Sequence, residues 1–103
     1  MTSRAFFLIP VLLATSFATH AGEAVISIKE FMFSPTAMTV PAGTTVRWKN
    51  LDGEPHTVRS IDATFKSDAL DQNDSFRFTF AKAGTYRYIC SIHPKMKATI
   101  TVH

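Results

Sequence analysis

Three residue types that bind soft metals lie close together near the end of the sequence. Cys90, the only cysteine of the chain, is followed by His93 and Met96 in the pattern Cys-x-x-His-x-x-Met. A thiolate, an imidazole and a thioether on one short loop form a soft ligand set, which favours copper over magnesium, calcium or manganese. A second imidazole would complete the two-histidine, one-cysteine set with a long axial methionine that is typical of blue-copper electron-transfer sites.

His56 is the histidine best placed to complete this set. It follows Pro55 at the start of an extended segment over residues 56–59, whereas Cys90 ends another predicted strand. Two strand ends at the same pole of a β-sandwich can bring their side chains together across the top of the core. The sequence therefore predicts one copper ion held by His56, Cys90, His93 and Met96.

Several other interpretations of these residues stay open at the level of sequence. Cys90 with His93 is also compatible with zinc ligation, although no further cysteine or acidic ligand stands at zinc-like spacing. A catalytic Cys-His pair would require hydrogen-bond contact between the two side chains. A metal-free sandwich, in which Cys90 is inert and Met96 packs in the core, is a third interpretation.

The start of the chain has the features of a secretory signal peptide. Arg4 precedes an apolar run over residues 5–17, and Thr19-His20-Ala21 offers a cleavage site. We expect a signal peptide over residues 1–21 and one copper-binding domain over residues 22–103. The run is too short and too weakly flanked for a transmembrane helix, so we expect no stable membrane insertion after cleavage. One cysteine cannot form an intramolecular disulfide in an exported domain, and metal ligation would occupy it.

Composition and hydrophobic alternation indicate an all-β fold. The chain has 103 residues and a net charge of +3, with dispersed basic residues that give nucleic-acid binding little support. Short alternating segments separated by turn residues predict a Greek-key β-sandwich of two sheets, with about seven to eight strands and no convincing helix. A short helical turn within residues 60–73 is conceivable. The predicted strands cover residues 24–30, 38–40, 44–50, 56–59, 74–80, 85–90 and 97–103.

Several segments resemble the cupredoxin family. The run G-T-Y-R-Y-I-C-S-I-H-P-K-M over residues 84–96 resembles its copper loop, in the short form of amicyanin-like and plastocyanin-like members. The segments W-K-N-L-D and E-P-H-T-V are similar to the family's other copper segment, and F-M-F-S-P and V-P-A-G fit its opening strands. The resemblance implies a two-sheet sandwich that binds one type 1 copper ion and shuttles single electrons in the periplasm, and that is not an enzyme. A periplasmic copper-sequestering or copper-delivery protein is the alternative.

The resemblance also implies roles for residues around the ligands. His93 would be the electron port, within an apolar patch of Pro94, Met32 and Pro55, and the chain would be a monomer that meets redox proteins by transient contact. These partners would be a periplasmic dehydrogenase or other donor and a c-type cytochrome or oxidase acceptor, and Lys95 and Lys97 could steer an acidic one.

Two further positions follow from the same resemblance. Thr57 stands where many cupredoxins have Asn, and we expect its hydroxyl to form a hydrogen bond near Ser91. Thr57, Ser91 and Pro55 are the residues that we expect to surround the ligands. Tyr86 falls where the family often has a tyrosine corner.

Overall fold

The computed structural model describes residues 22–103, so the predicted signal peptide over residues 1–21 lies outside the described residues. Eight strands occur among the described residues. None of these residues forms a helix long and apolar enough to cross a membrane. The strands are β1 (Glu23–Lys29), β2 (Met32–Ser34), β3 (Ala37–Val40), β4 (Thr44–Asn50), β5 (Arg59–Ser60), β6 (Ser75–Phe80), β7 (Gly84–Ile89) and β8 (Lys97–Val102).

The strands form two four-stranded mixed sheets. One sheet has the order β2-β1-β4-β6 and the other has the order β3-β8-β7-β5. The pairs β1–β4 and β3–β8 are parallel, and the remaining pairs are antiparallel. The prediction of an all-β sandwich of two sheets is confirmed.

Alternating apolar residues of both sheets meet in one core. Along β4, Val46 and Trp48 are buried while Arg47 and Lys49 stay partly exposed, as a period of two requires. The ring of Trp48 meets Tyr88 of the other sheet edge to face, with centroids 5.5 Å apart. Burial of such large side chains supplies most of the free energy that holds two sheets together.

Two strands of the first sheet show which of their side chains reach the core. In β1 the loose alternation of the sequence leaves the inward residue open between Val25 and Ile26, and the structure buries Ile26 and leaves Val25 45% exposed. The three phenylalanines of β6 lie on one face, as their alternation predicts, and pack against the core; Phe80 is fully buried, while Phe76 and Phe78 are half-buried. The reason is that β6 is an edge strand, so these two rings lack a covering neighbour on one side.

The stretch between β4 and β6 is built differently from the prediction. A strand over residues 56–59 was expected, but the strand there is β5, Arg59–Ser60. No helical turn forms within residues 60–73. Instead this stretch folds back as an extended excursion, in which His56 and Leu70 exchange two backbone hydrogen bonds of 3.1 and 2.7 Å. Loop residues that pair with another loop carry little periodic pattern, which explains why the sequence did not reveal this pairing.

The ends of β4 and β7 prepare the place of the candidate site. β4 ends at Asn50, and β7 ends at Ile89, directly before Cys90. At the other end of β7, the Tyr86 hydroxyl donates to the Lys82 carbonyl at 2.7 Å, which is the contact of a tyrosine corner. The loops that follow β4 and β7 therefore meet at one pole of the sandwich.

Candidate metal centre

Two loops bring three metal-binding side chains together at this pole. His56 comes from the loop after β4, whereas Cys90 and His93 come from the loop after β7. One ligand atom of each of these residues lies within 4.8 Å of the other two. His56 and Cys90 are fully buried, and His93 is half-buried. The antiparallel pairing of His56 with Leu70 holds the first loop, because both backbone hydrogen bonds of that bridge are formed.

The spacing of the donor atoms fits a single first-row metal ion. The Cys90 Sγ atom lies 3.7 Å from His56 Nδ1 and 3.8 Å from His93 Nδ1. Such ions bind imidazole nitrogen at about 2.0–2.1 Å and thiolate sulfur at about 2.3 Å, so a trigonal arrangement separates nitrogen from sulfur by about 3.8 Å. Both sulfur–nitrogen distances therefore match a trigonal arrangement around one ion.

Met96 supplies a fourth, softer donor on the same loop. Its main chain closes the loop, because Met96 N donates to His93 O at 2.9 Å and Cys90 N donates to Met96 O at 3.2 Å. The side chain is buried. Within residues 22–103, no other cysteine, histidine or carboxylate joins the three-residue cluster. Two imidazoles, one thiolate and one thioether form the ligand set of a type 1 copper site, whereas structural zinc sites are closed by a fourth cysteine or histidine.

The surroundings of Cys90 favour its thiolate form. Burial by itself raises the pKa of the thiol. The opposing contacts are stronger in sum, since the Thr57 N–H lies 3.3 Å from Sγ and the Nδ1 atoms of His56 and His93 lie 3.7 and 3.8 Å from it. Together they lower the pKa of Cys90 from 9.0 to about 6. The thiolate is the form that binds metals, so the site is electrostatically prepared for a cation.

Thr57 also joins the two ligand loops through its side chain. Its Oγ1 accepts a hydrogen bond from Ser91 N at 2.7 Å and lies 2.8 Å from Ser91 Oγ. Both contacts connect the residue after His56 with the residue after Cys90. The hydrogen bond expected between the Thr57 hydroxyl and Ser91 is therefore present in the structure, at the position where many cupredoxins have Asn.

Asp52 was not selected from the sequence, although it contacts a candidate ligand directly. Its Oδ2 lies 2.8 Å from His56 Nε2. Partial burial opposes ionisation of this carboxyl, but the backbone N–H groups of Phe31 and Glu30 and the His56 ring outweigh it, and the pKa of Asp52 is lowered. The spacing Asp-x-x-x-His is the signal that could have suggested the pair, although such spacing is common in loops without any contact.

Phe31 is a second residue that was not selected. It lies in the turn between β1 and β2 and its ring is 45% exposed. The ring stands edge to face against both histidines, with centroids 5.1 Å from His56 and 4.8 Å from His93. Nothing in an apolar Phe-Met-Phe cluster distinguishes this ring from ordinary core residues, and Phe33 in the same cluster is indeed a core residue.

The residues predicted for the partner patch divide into two groups. His93 and Pro94 line an open cleft beside the site, together with Phe31, Ile92, Lys95 and Met96. Met32 and Pro55 are exposed but do not line this cleft. Ile92, which lines the cleft, is 46% exposed, and Met32 is 53% exposed.

Comparisons with known proteins agree with the fold. A family model described as a cupredoxin-like domain matches residues 3–102. Amicyanin of Paracoccus denitrificans is 30% identical over 86 residues, which cover 79% of this chain and 66% of that protein. Amicyanin-alpha of Methylorubrum extorquens is 30% identical over 87 residues, covering 80% and 73%. Plastocyanin of Scenedesmus fuscus is 36% identical over 84 residues, covering 69% and 86%.

Solved structures give the same result. A purple cupredoxin from Nitrosopumilus maritimus superposes with a TM-score of 0.73 at 35% sequence identity, covering 78% of this chain and 99% of that one. A Cu(I) form of an amicyanin mutant superposes with a TM-score of 0.74 at 28% identity, covering 78% and 81%. The chain spans about two thirds of the length of the Paracoccus denitrificans amicyanin that it matches.

Proposed function

Because the chain belongs to the cupredoxin-like family, we propose that it is a periplasmic type 1 copper protein that carries single electrons between redox partners. The observation that carries this proposal is the cluster of His56, Cys90 and His93, whose donor atoms are spaced for one ion and share a loop with the Met96 thioether. Four protein donors leave no open position for a substrate, which favours electron transfer over catalysis.

A bound copper ion supplies the one-electron couple between its cuprous and cupric states. The protein contributes a fixed and dry set of donors. Cys90 and His56 are fully buried, so water is kept from the thiolate and from the first imidazole. The hydrogen bonds of Thr57 to Cys90 and Ser91 tie the two ligand loops to each other. Donors held this way need little rearrangement between oxidation states, which favours rapid electron transfer.

His93 is the proposed port for the electron. It is the only one of the two histidines in the cluster that reaches the surface, and it opens into the cleft that Pro94 and Ile92 line. Phe31 lines the same cleft and is 45% exposed, and the next residue along the chain, Met32, is 53% exposed. Small apolar surfaces suit the brief encounters of redox proteins. We expect the donor to be a periplasmic dehydrogenase or another reduced protein, and the acceptor to be a c-type cytochrome or an oxidase.

The basic residues beside this surface suggest an acidic partner. Lys95 lines the cleft, and Lys97 begins β8 directly after Met96. Arg59 lies in the same row of the sheet as Lys97, since Arg59 pairs with Ile89 and Ile89 pairs with Lys97. All three basic side chains are exposed. Uncompensated charges of one sign steer association at low ionic strength.

The periplasmic location is part of the proposal and is supported by two observations. Residues 1–21 have the pattern of a signal peptide, with Arg4 before the apolar run and Ala21 at the expected cleavage point. The domain that follows begins its first strand at Glu23. Sequencing the N-terminus of the protein purified from a periplasmic extract tests both points, and we expect it to begin at Gly22.

The visible and electron paramagnetic resonance spectra of the copper-loaded protein test the proposed function. We expect an intense visible band from thiolate-to-copper charge transfer and a narrow copper hyperfine splitting, both lost on reduction and in Cys90→Ser. A copper-loaded protein without this band would contradict the proposal. Repeated reduction and oxidation without loss of the metal would distinguish a carrier from a copper-sequestering or copper-delivery protein, which should pass cuprous ion to a chelating acceptor.

A further inference from the structure

One carboxylate connects a candidate copper ligand with the turn that covers it. Asp52 Oδ1 accepts the Glu30 N–H at 2.7 Å, and Oδ2 accepts the Phe31 N–H at 3.0 Å. The same Oδ2 lies 2.8 Å from His56 Nε2. No other carboxylate of residues 22–103 hydrogen-bonds to the His56, Cys90 or His93 side chains. Asp52 therefore contacts three donor groups from two separate segments.

The contact with His56 determines which ring nitrogen is free. An ionised carboxylate only accepts hydrogen bonds, so the ring must present an N–H at Nε2. A neutral imidazole has a single N–H, which leaves a lone pair at Nδ1. Nδ1 is the nitrogen that faces Cys90 Sγ at 3.7 Å. The carboxylate thus selects the tautomer in which His56 can bind a metal at the centre of the cluster.

The contacts with the turn hold an otherwise unfavourable backbone. Glu30 and Phe31 have φ values of 55° and 58°, a left-handed conformation that residues with a Cβ rarely adopt. Such a conformation persists where the surroundings impose it. Asp52 accepts the N–H groups of both residues and is itself held, because its own N–H donates to Asn50 Oδ1 at 2.9 Å. The result is the placement of the Phe31 ring against both histidines.

We propose that Asp52 is a positioning residue that orients His56 for metal binding and holds the Phe31 turn over the site. The inference rests on the proposed function where it concerns copper. A carboxylate behind a ligating imidazole makes the ring a stronger donor, and its negative charge stabilises the cupric over the cuprous state. Asp52 therefore lowers the reduction potential of the site.

Asp52→Asn tests this role because it keeps the shape and removes the acceptor. Either orientation of the amide sets its NH₂ group against a backbone N–H of the turn or against the N–H of His56. An NH₂ group that faces Nε2 would favour the tautomer with its proton on Nδ1, which blocks metal binding. Glu54→Gln is the matched control, since Glu54 is an exposed carboxylate on the same loop and its side chain forms no hydrogen bond among the described residues.

Two measurements on the full exported chain decide the proposal. The first is the imidazole ¹⁵N spectrum of the metal-free protein at pH 8, where we expect His56 to carry its proton on Nε2 in the wild type and in Glu54→Gln, and on Nδ1 in a measurable fraction of Asp52→Asn. The second is the reduction potential with copper bound. Outer-shell partners of metal ligands contribute 10- to 100-fold to affinity, and a tenfold loss for the cupric state alone raises the potential by about 59 mV.

The outcomes separate this inference from the proposed function. A wild-type His56 with its proton on Nδ1 would overturn the role of Asp52, and so would an Asp52→Asn potential no higher than that of Glu54→Gln. If Asp52→Asn fails to fold, the tautomer of the wild type and of Asp52→Glu, which keeps the charge and the acceptors, still decides. A wild type without a charge-transfer band would refute the copper function, while the metal-free spectra would still show whether Asp52 orients His56.

Discussion

Replacing Thr57 by Val should destabilise the apoprotein without removing the copper site. Val has nearly the same shape as Thr but lacks the hydroxyl, so Ser91 N loses the acceptor that lies 2.7 Å away and Ser91 Oγ loses a partner at 2.8 Å. The Thr57 backbone N–H is unchanged and still lies 3.3 Å from Cys90 Sγ. The substitution therefore removes the hydroxyl's bonds to Ser91 and its long contact of 3.9 Å with Cys90 Sγ, and it leaves the backbone bond to the thiolate.

The size of the effect follows from the burial of these groups. A net hydrogen bond contributes about 0.5–1.5 kcal/mol, and a buried donor left without a partner costs about 1–3 kcal/mol. Thr57 is 9% exposed, whereas Ser91 is exposed and its hydroxyl can turn to water. The lost N–H acceptor should dominate, giving a destabilisation of about 1–3 kcal/mol. For a domain of this size each kcal/mol lowers Tm by roughly 4–8 °C.

Thermal unfolding of the metal-free protein, followed by circular dichroism, measures this effect. The metal must be absent because a ligand that binds only the folded state masks a loss of stability. Thr45→Val is the matched control, since the Thr45 hydroxyl also has one hydroxyl partner, the exposed Thr79 Oγ1 at 2.7 Å. Loss of this exposed hydrogen bond should cost less than about 0.5 kcal/mol. Equal Tm values for Thr57→Val and Thr45→Val would refute the view that this hydroxyl fastens the two loops.

Three further changes test other parts of the structure. The apoprotein should gain stability as pH rises from about 6 to 9, because the pKa of Cys90 is lowered from 9.0 to about 6 in the folded state. Cys90→Ala should lack this gain in pH-dependent denaturant titrations. Lys97→Glu should slow the stopped-flow oxidation of the reduced protein by the anion hexacyanoferrate(III) at low salt. Lys82→Glu, at the other end of β7, should change this rate much less. Equal rates for the two variants would argue against electrostatic steering by the face around Lys97. Ile100→Ala should lower the free energy of unfolding by about 2–5 kcal/mol, since Ile100 is fully buried. Thr101→Ala, at an exposed position, should change it little. If Ile100→Ala alters the visible spectrum of the copper-loaded protein, the core and the site are not independent.

Local features of the sequence were sufficient for the fold class and for the C-terminal donors. Alternation along residues 44–50 identified β4 correctly, because one face of this strand is buried and the other meets solvent. The spacing of Cys90, His93 and Met96 predicts a shared loop, since donors three residues apart after a strand end can turn toward one point. His56 was identified by its chemistry and its place after a loop, and the structure brings its Nδ1 to 3.7 Å from Cys90 Sγ.

Contacts between distant segments could not be predicted in the same way. The partner of Asp52 in the β1–β2 turn is 21 or 22 residues away, and no periodic pattern connects the two. The packing of Phe31 on two histidines likewise depends on how three loops meet at one pole. The half-burial of Phe76 depends on the position of β6 at a sheet edge, which alternation along one strand does not reveal.

The sequence by itself determined which residues have the chemistry to bind a soft metal and which faces of the central strands are buried. These properties depend on residue type and on spacing along a single segment, which local sterics and the hydrophobic effect translate directly into structure. Only the tertiary structure decided the distances among His56, Cys90 and His93, the orientation of His56 by Asp52, and the surface around His93. The physical reason is that these features arise from loops held by neighbouring strands, where hydrogen bonds between distant residues determine geometry.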